Sequence, residues 1–149
     1  MFEILRKVEL NPQVTLIEVY APRVAKKAEP GQFVILRACS DGERIPLTVA
    51  DFDREKGSVT VIFQVVGATT KILNSLNVGD VLSDFVGPLG NATETEGLKK
   101  VAVVGGGVGS AIAYPIAKKL HEKGAIVHSI VGFRTKDLVI LEDYFDKVS

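Results

Sequence analysis

The chain predicts a six-stranded antiparallel β-barrel followed by a partial α/β unit. Two observations carry this. Residues 1–90 hold about six short apolar-alternating runs, with turn residues every eight to twelve positions, which is the rhythm of an all-β barrel. Residues 100–132 then change style to strand, glycine turn, helix, strand. The polar stretch 91–99, NATETEGLK, lies between them, and the expected domains are 1–97 and 98–149.

Composition narrows the class. The chain has 149 residues, 46% of them hydrophobic, enough for a packed core. Lys+Arg and Asp+Glu both count 18, so the formal net charge is zero. That balance argues against nucleic-acid or membrane-surface attraction. No apolar run approaches the roughly 20 residues of a spanning helix, and MFEILRKVEL is too charged for a signal peptide. One cysteine, Cys39, permits no intrachain disulfide and by itself no metal cluster. A soluble, cytoplasmic protein without a metal site is expected.

Taken in order, residues 3–20 give two strands around an Asn11-Pro12 turn. Residues 21–29 are polar and basic. Pro30-Gly31 opens a strand over 32–38, 40–43 is a loop, and 44–50 is a strand. Asp53 to Gly57 is a charged turn, and Val59–Val66 is the strongest strand signal. Residues 70–76 have helical spacing through Ile72, Leu73 and Leu76, with Thr69 or Thr70 as N-cap. Gly79-Asp80 turns into a sixth strand, 81–86, which Gly87-Pro88-Leu89-Gly90 ends as a β-turn. The apolar run Val101–Val104 then meets Gly105, Gly106, Gly107 and Gly109. A helix follows with Ile112, Ile116, Ala117 and Leu120 on one face. Ile126–Gly132 is the second strand of this part, and Thr135–Phe145 reads as helical through Leu138, Leu141 and Phe145. Two strands and about two helices are half of a mononucleotide-binding domain, because a doubly wound sheet needs more strands to bury both faces.

Four places carry candidate chemistry. The glycines at 105–107 and 109, with Ser110, remove side chains where backbone must approach a diphosphate. The helix start directs free N–H groups and the positive dipole end at an anion. The spacing is not the standard GxGxxG: counted from Gly105, the last position is Ser110. The acidic residue expected about 20 positions on is also missing. Arg134 and Lys136, after the second strand, favour a 2′-phosphate. The second place is Arg44-Ile45-Pro46-Leu47-Thr48, where a guanidinium can pair with a diphosphate and a Thr hydroxyl can reach a flat ring. The third is Gly67-Ala68-Thr69-Thr70, a glycine turn entering a helix, which serves an anion or simply a cap. The fourth is Gly87–Gly90, a plain turn or part of a cleft wall. Cys39 reads as a buried small apolar residue, and His121 and His128 as structural or surface residues. Asp51, Asp53 and Glu55 read as a solvated turn.

This order of parts (barrel, RIPLT, GATT before a short helix, GPLG, then VVGGGVG opening a β-α-β) resembles the ferredoxin–NADP reductase superfamily of two-domain flavoproteins over all 149 residues. Within it the chain is similar to the small electron-transfer subunits of the ferredoxin:NADP oxidoreductase (sulfide dehydrogenase-like) type. GERIPLTVADFD and GFRTKDLVILED favour these over the electron-transfer subunits of the dihydroorotate dehydrogenase type.

The resemblance implies FAD against the barrel and NAD(P)H at the glycine turn. Electrons would pass as a hydride from nicotinamide C4 to flavin N5, then singly to a larger partner subunit or ferredoxin. It implies that Pro46, Leu47 and Thr48 line the isoalloxazine, with Thr48 near N5, and that Arg44 neutralises cofactor oxygens. Arg44 stands four positions before Thr48, where the family pattern has three. The resemblance further implies flavin and ribityl contacts from Phe63, Gln64 and Val65, and the FAD pyrophosphate at Gly67, Thr69 and Thr70. Gly105, Gly106, Gly107, Gly109 and Ser110 match the pyridine-nucleotide loop, with Arg134 beside it. Relatives carry a [2Fe-2S] cysteine cluster whose ligands this sequence lacks. The alternative from another class is a non-catalytic flavin-binding module.

Overall fold

β-branched residues alternating with polar ones build the first part of the chain from strands. A computed structural model describes residues 1–149. It opens with β1 (Phe2–Asn11) and β2 (Val14–Tyr20), then α1 (Pro22–Lys27), β3 (Phe33–Arg37), β4 (Arg44–Asp53) and β5 (Ser58–Gln64). Next come α2 (Ala68–Ser75), β6 (Val81–Leu82) and β7 (Asp84–Leu89). The last part is β8 (Lys100–Gly106), a 3-10 turn at Gly107–Gly109, α3 (Ser110–Glu122), β9 (Ile126–Gly132), a second 3-10 turn at Lys136–Leu138, and α4 (Glu142–Asp146).

The antiparallel sheet has seven strands, not six, in the order β6-β1-β2-β5-β4-β3-β7. The expected sixth strand is divided at Ser83. Val81 and Leu82 pair with Glu3 and Phe2, while Asp84 to Leu89 pairs with β3. The two edges of the sheet are therefore one continuous segment, turning a corner where the Ser83 N–H donates to the Arg37 carbonyl at 3.0 Å. That corner nearly closes the barrel and leaves little free edge.

Gly87-Pro88-Leu89, expected as a turn, is the second half of β7. Residues 22–27, within the polar and basic stretch, form α1. Pro at its first position presets the helical φ, and Val24 and Ala25 are buried. The interior holds Ile4, Ile17, Val19, Val34, Leu36, Val49, Val59, Val61 and Phe63, all at most 2% exposed.

β8 and β9 pair in parallel, Val103 against Ser129 and Gly105 against Val131, joined by α3. A second core lies between this layer and the outside of the barrel. Val14, Leu16, Ala50 and Ile62 from the barrel pack with Val103, Tyr114, Ala117, Leu120 and Phe145. Each Val, Leu, Ile or Phe side chain so buried is worth about 1.5–3 kcal/mol. The buried face of α3 is Ala113, Tyr114, Ala117 and Leu120. Ile112, expected on that face, is exposed instead.

Polar ties ring the shared core. Lys118 reaches Asp51 at 2.7 Å, Lys119 pairs with Glu29, and Lys123 bonds Thr95 at 3.1 Å. The other face of β8–β9 leaves Val104, Ile126 and Ile130 in solvent. The expected helix over 135–145 does not form as one element. Leu141 takes a left-handed conformation at φ 62° and starts the five-residue α4. No helix is long and apolar enough to cross a membrane.

Candidate functional site

Period-two alternation decides which barrel residues face outward. On β4, Ile45, Leu47 and Val49 turn toward the barrel core, so Pro46, Thr48 and Ala50 turn outward. On β5, Val59, Val61 and Phe63 are interior, and Thr60, Ile62 and Gln64 are outward. Val49 pairs with Val61, so Thr48 and Ile62 flank that pair at the same end of the barrel. The outward face at this end carries Pro46, Thr48, Ile62 and Gln64.

The same alternation turns two of the expected contact side chains inward. Leu47 packs into the barrel core, and the Phe63 ring is 2% exposed within it. Only their backbones reach the outer wall. Val65 is half-buried, packs against the same core, and donates its N–H to the Gln13 carbonyl at 2.8 Å. The sequence reading missed Phe33 and Ile35. They are directly opposite Thr48 and Pro46 on β3 and share their outward face. Their signal was available: they alternate with Val34 and Leu36, which are interior. Leu89 is in turn opposite Phe33, which brings the end of β7 to the same wall.

α2 begins where β5 delivers it. Its N-cap is Gly67, not Thr69 or Thr70. The Thr70 hydroxyl accepts from the Val66 and Gly67 N–H groups at 2.9 and 3.0 Å. The first intrahelical bond runs from the Lys71 N–H to the Gly67 carbonyl, which leaves the N–H groups of Ala68, Thr69 and Thr70 outside the ladder. Thr69 donates its hydroxyl to Glu43, tying this helix start to the loop before β4. Arg44 follows Glu43. Its guanidinium is exposed and pairs at 3.2 Å with Asp84, which also holds Arg37 at 2.8 Å.

The glycine stretch faces the barrel. The turn Gly107–Gly109 packs against β5. A cleft of about 340 Å³ opens there, lined by Gln13, Gln64, Gly107, Val108, Phe133 and Arg134. Gly107 takes φ +54°, a left-handed conformation that favours glycine. Gly106 is exposed and Gly109 half-exposed.

Gly105 has a packing role. A Cβ there would lie 2.9 Å from the Ser110 Cα and 3.3 Å from the Ala113 Cβ, so its bareness lets α3 press onto β8. Ser110 itself is 0% exposed, and its hydroxyl has no hydrogen-bond partner. It supports the turn from below and does not line the cleft. Arg134 is exposed at the cleft.

At a separate cavity of about 220 Å³, which Asp51 and Lys118 also line, Tyr114 is buried edge-on against Tyr144 and Phe145, with ring centroids 5.5 and 5.6 Å away. Burial, reinforced by the negative charge of Asp51, pushes its hydroxyl pKa up to about 12. The other singled-out residues stay apart. Cys39 is half-buried rather than enclosed. Asp53 caps its own turn through the Glu55 and Lys56 N–H groups, and His121 and His128 are exposed. No three His, Cys, Asp or Glu side chains gather as metal ligands.

No family model matches the chain. It is 47% identical, over 147 residues, to the electron transfer subunit homolog of dihydroorotate dehydrogenase B (NAD(+)) from Thermotoga maritima. That match covers 99% of this chain and 52% of that protein. Among solved structures, that of NADH-dependent reduced ferredoxin-NADP oxidoreductase, described in connection with flavin-based electron bifurcation, superposes with a TM-score of 0.96 at 44% identity. It covers 100% of this chain and 54% of that one. The ferredoxin reductase in carbazole 1,9a-dioxygenase superposes with a TM-score of 0.86 at 22% identity, which speaks for the fold alone. The chain spans about half the length of the curated relatives it matches.

Proposed function

We propose that this chain, which has the ferredoxin reductase-like fold and is a relative of the electron-transfer subunits just described, holds FAD and faces NAD(P)H within such a subunit. In this reading it is an oxidoreductase module of the cytoplasm that passes electrons from NAD(P)H through FAD toward a larger partner subunit or ferredoxin. Residues 1–97 are the flavin-binding barrel, and residues 98–149 are part of the nucleotide-binding domain. The observation that carries the reading is one opposition. At the end of the barrel where Pro46 and Thr48 face outward, Gln64 looks across a cleft at Gly107, Val108 and Arg134.

The residues present suit these groups. Phe33, Ile35, Pro46 and Thr48 give a flat, mostly apolar wall with one hydroxyl, matched to a planar ring that carries polar edges. The three free N–H groups at the start of α2 suit the cofactor diphosphate. Bound FAD would supply two-electron acceptance from a reduced nicotinamide and single-electron release. The chain's own residues orient and exclude. Thr48 offers its hydroxyl at the wall, and Gln64 and Phe133 narrow the cleft. Gly107 lets backbone approach a diphosphate, and Arg134 supplies a cation for it or for a 2′-phosphate. Cys39 alone cannot hold a [2Fe-2S] centre, so in this reading any such centre is held outside these 149 residues.

The test is reconstitution. The purified chain, given FAD, is expected to retain it through gel filtration with a shifted visible spectrum. Anaerobic NADH or NADPH should then bleach it, and Thr48→Val should slow bleaching about tenfold. Retention without bleaching would leave a non-catalytic flavin module, the alternative reading. Failure to retain FAD would overturn both.

A further inference from the structure

A second concavity lies toward the other end of the barrel and meets the proposed flavin wall only through Val86, the strand partner of Ile35. Val14 borders the cleft and Tyr20 borders this second groove. They stand six residues apart on β2, so the cleft and the groove are about 20 Å apart along that strand. The groove encloses about 470 Å³ between the start of β1, the end of β2, α1 and β7. Its apolar lining includes Phe2, Tyr20, Pro22, Phe85 and Val86. The Phe2 and Phe85 rings meet at 6.0 Å with a 34° tilt. Tyr20 and Val86 remain 42% and 52% exposed, so apolar surface stands in water here. That volume falls in the range of small-molecule sites, and a single inserted protein side chain would leave much of it empty.

The charge at the rim has one sign. Arg23 lines the groove, is exposed, and takes part in none of the chain's ion pairs. Lys27 lies one helical turn further along the same face of α1, and the first turn of α1 carries no acid. Nearby carboxylates are engaged elsewhere: Glu29 with Arg54 and Lys119, Asp84 with Arg37 and Arg44. Glu3 alternates onto the other side of β1 from Phe2 and does not line the groove. A guanidinium with free donors beside an apolar trough fits a ligand with an apolar body and a single anionic head.

We infer that the groove between α1 and β7 is a binding site for an amphiphilic monoanion, its apolar body among Phe2, Tyr20, Phe85 and Val86 and its carboxylate or sulfonate on Arg23. The probe is decanoate, well below its micelle concentration, with decanol as the neutral counterpart. Calorimetry and NMR of the full chain read the binding. Saturable one-to-one binding is expected, with ring-proton shifts confined to Phe2, Tyr20 and Phe85, and with decanol about fivefold weaker. Arg23→Glu should weaken decanoate at least tenfold and leave decanol unchanged. Val86→Asp should weaken both. Non-saturating partition, equal affinity for decanol, or undiminished binding by Arg23→Glu would overturn the inference. So would a dimer that Val86→Asp dissociates with no decanoate bound, because the groove would then belong to a second copy of the chain.

Discussion

Thr69 donates its hydroxyl hydrogen to the Glu43 carboxylate over 2.8 Å, and this bond places a negative charge at the one helix start that the flavin reading assigns to a diphosphate. Free N–H groups and the dipole make that end attractive to anions, and Glu43 already draws on the attraction. An incoming diphosphate must share the site with the carboxylate or displace it. Glu43→Gln is therefore expected to tighten FAD binding about threefold, the modest size proper to an exposed charge. The gain should fade as salt is raised. Titration by flavin fluorescence at two ionic strengths measures it, and weaker binding by the variant would show Glu43 contributing to the cofactor instead.

The glycine stretch divides by role, and two alanine substitutions separate the roles. At Gly105 a Cβ meets backbone of Ser110 at 2.9 Å, and α3 cannot retreat without opening the core it shares with the barrel. Gly105→Ala should cost about 1–3 kcal/mol of stability, as overpacking does. At Gly109 nothing lies within 4 Å, and φ is −60°, which any residue adopts. Gly109→Ala should leave the unfolding midpoint unchanged and, in the proposed reading, weaken NAD(P)H alone. Thermal unfolding of the two variants side by side decides it.

Tyr114 makes stability fall in alkali. Its folded pKa stands at about 12 against an ordinary value of 10.0, so the fold holds the neutral phenol while the unfolded chain ionises first. The stabilisation is complete below pH 10 and is lost as pH rises through about 12. Water reaching the adjoining cavity screens the effect, so it amounts to roughly 1 kcal/mol. Tyr114→Phe should flatten the decline between pH 10 and 12, measured by urea unfolding at several pH values. An unchanged slope would mean the hydroxyl is hydrated in the fold.

Strands were legible because their alternation is local: Val34 and Leu36, or Val59 and Val61, announce an interior face without any partner. The division at Ser83 was not legible. It arises from two pairings, with β1 and with β3, that no local pattern encodes. Alternation also held the information that Leu47 and Phe63 turn inward, but a motif read as a contiguous block of contacts overrode it. The helix over 135–145 failed for a tertiary reason. Leu141 is 5% exposed in the second core, and burying it takes a left-handed backbone that helical spacing does not foresee. Gly105 was marked as part of an anion loop, whereas its contact with Ser110 shows a packing role that only the crossing of α3 over β8 creates. Arg134 reaches the cleft because the loop after a second parallel strand returns to the same end of the sheet as the first glycine turn.

That placement of Arg134 leads to a choice between nucleotides. It stands at the cleft with Gly107 and Val108, exposed and outside the ion pairs that tie the second layer to the barrel. A free guanidinium there can serve the diphosphate common to NADH and NADPH or the 2′-phosphate found only on NADPH. The two differ in a measurable ratio. A charge-assisted bond to a phosphate is worth about 1.5 kcal/mol or more, a factor of about ten. Arg134→Ala is expected to raise KM for NADPH about tenfold while leaving KM for NADH within about twofold, because the diphosphate already has the backbone of the glycine turn. Equal losses would place Arg134 on the diphosphate. No loss with either would remove it from the nucleotide site, and steady-state reduction of an artificial acceptor with both nucleotides reads all three outcomes.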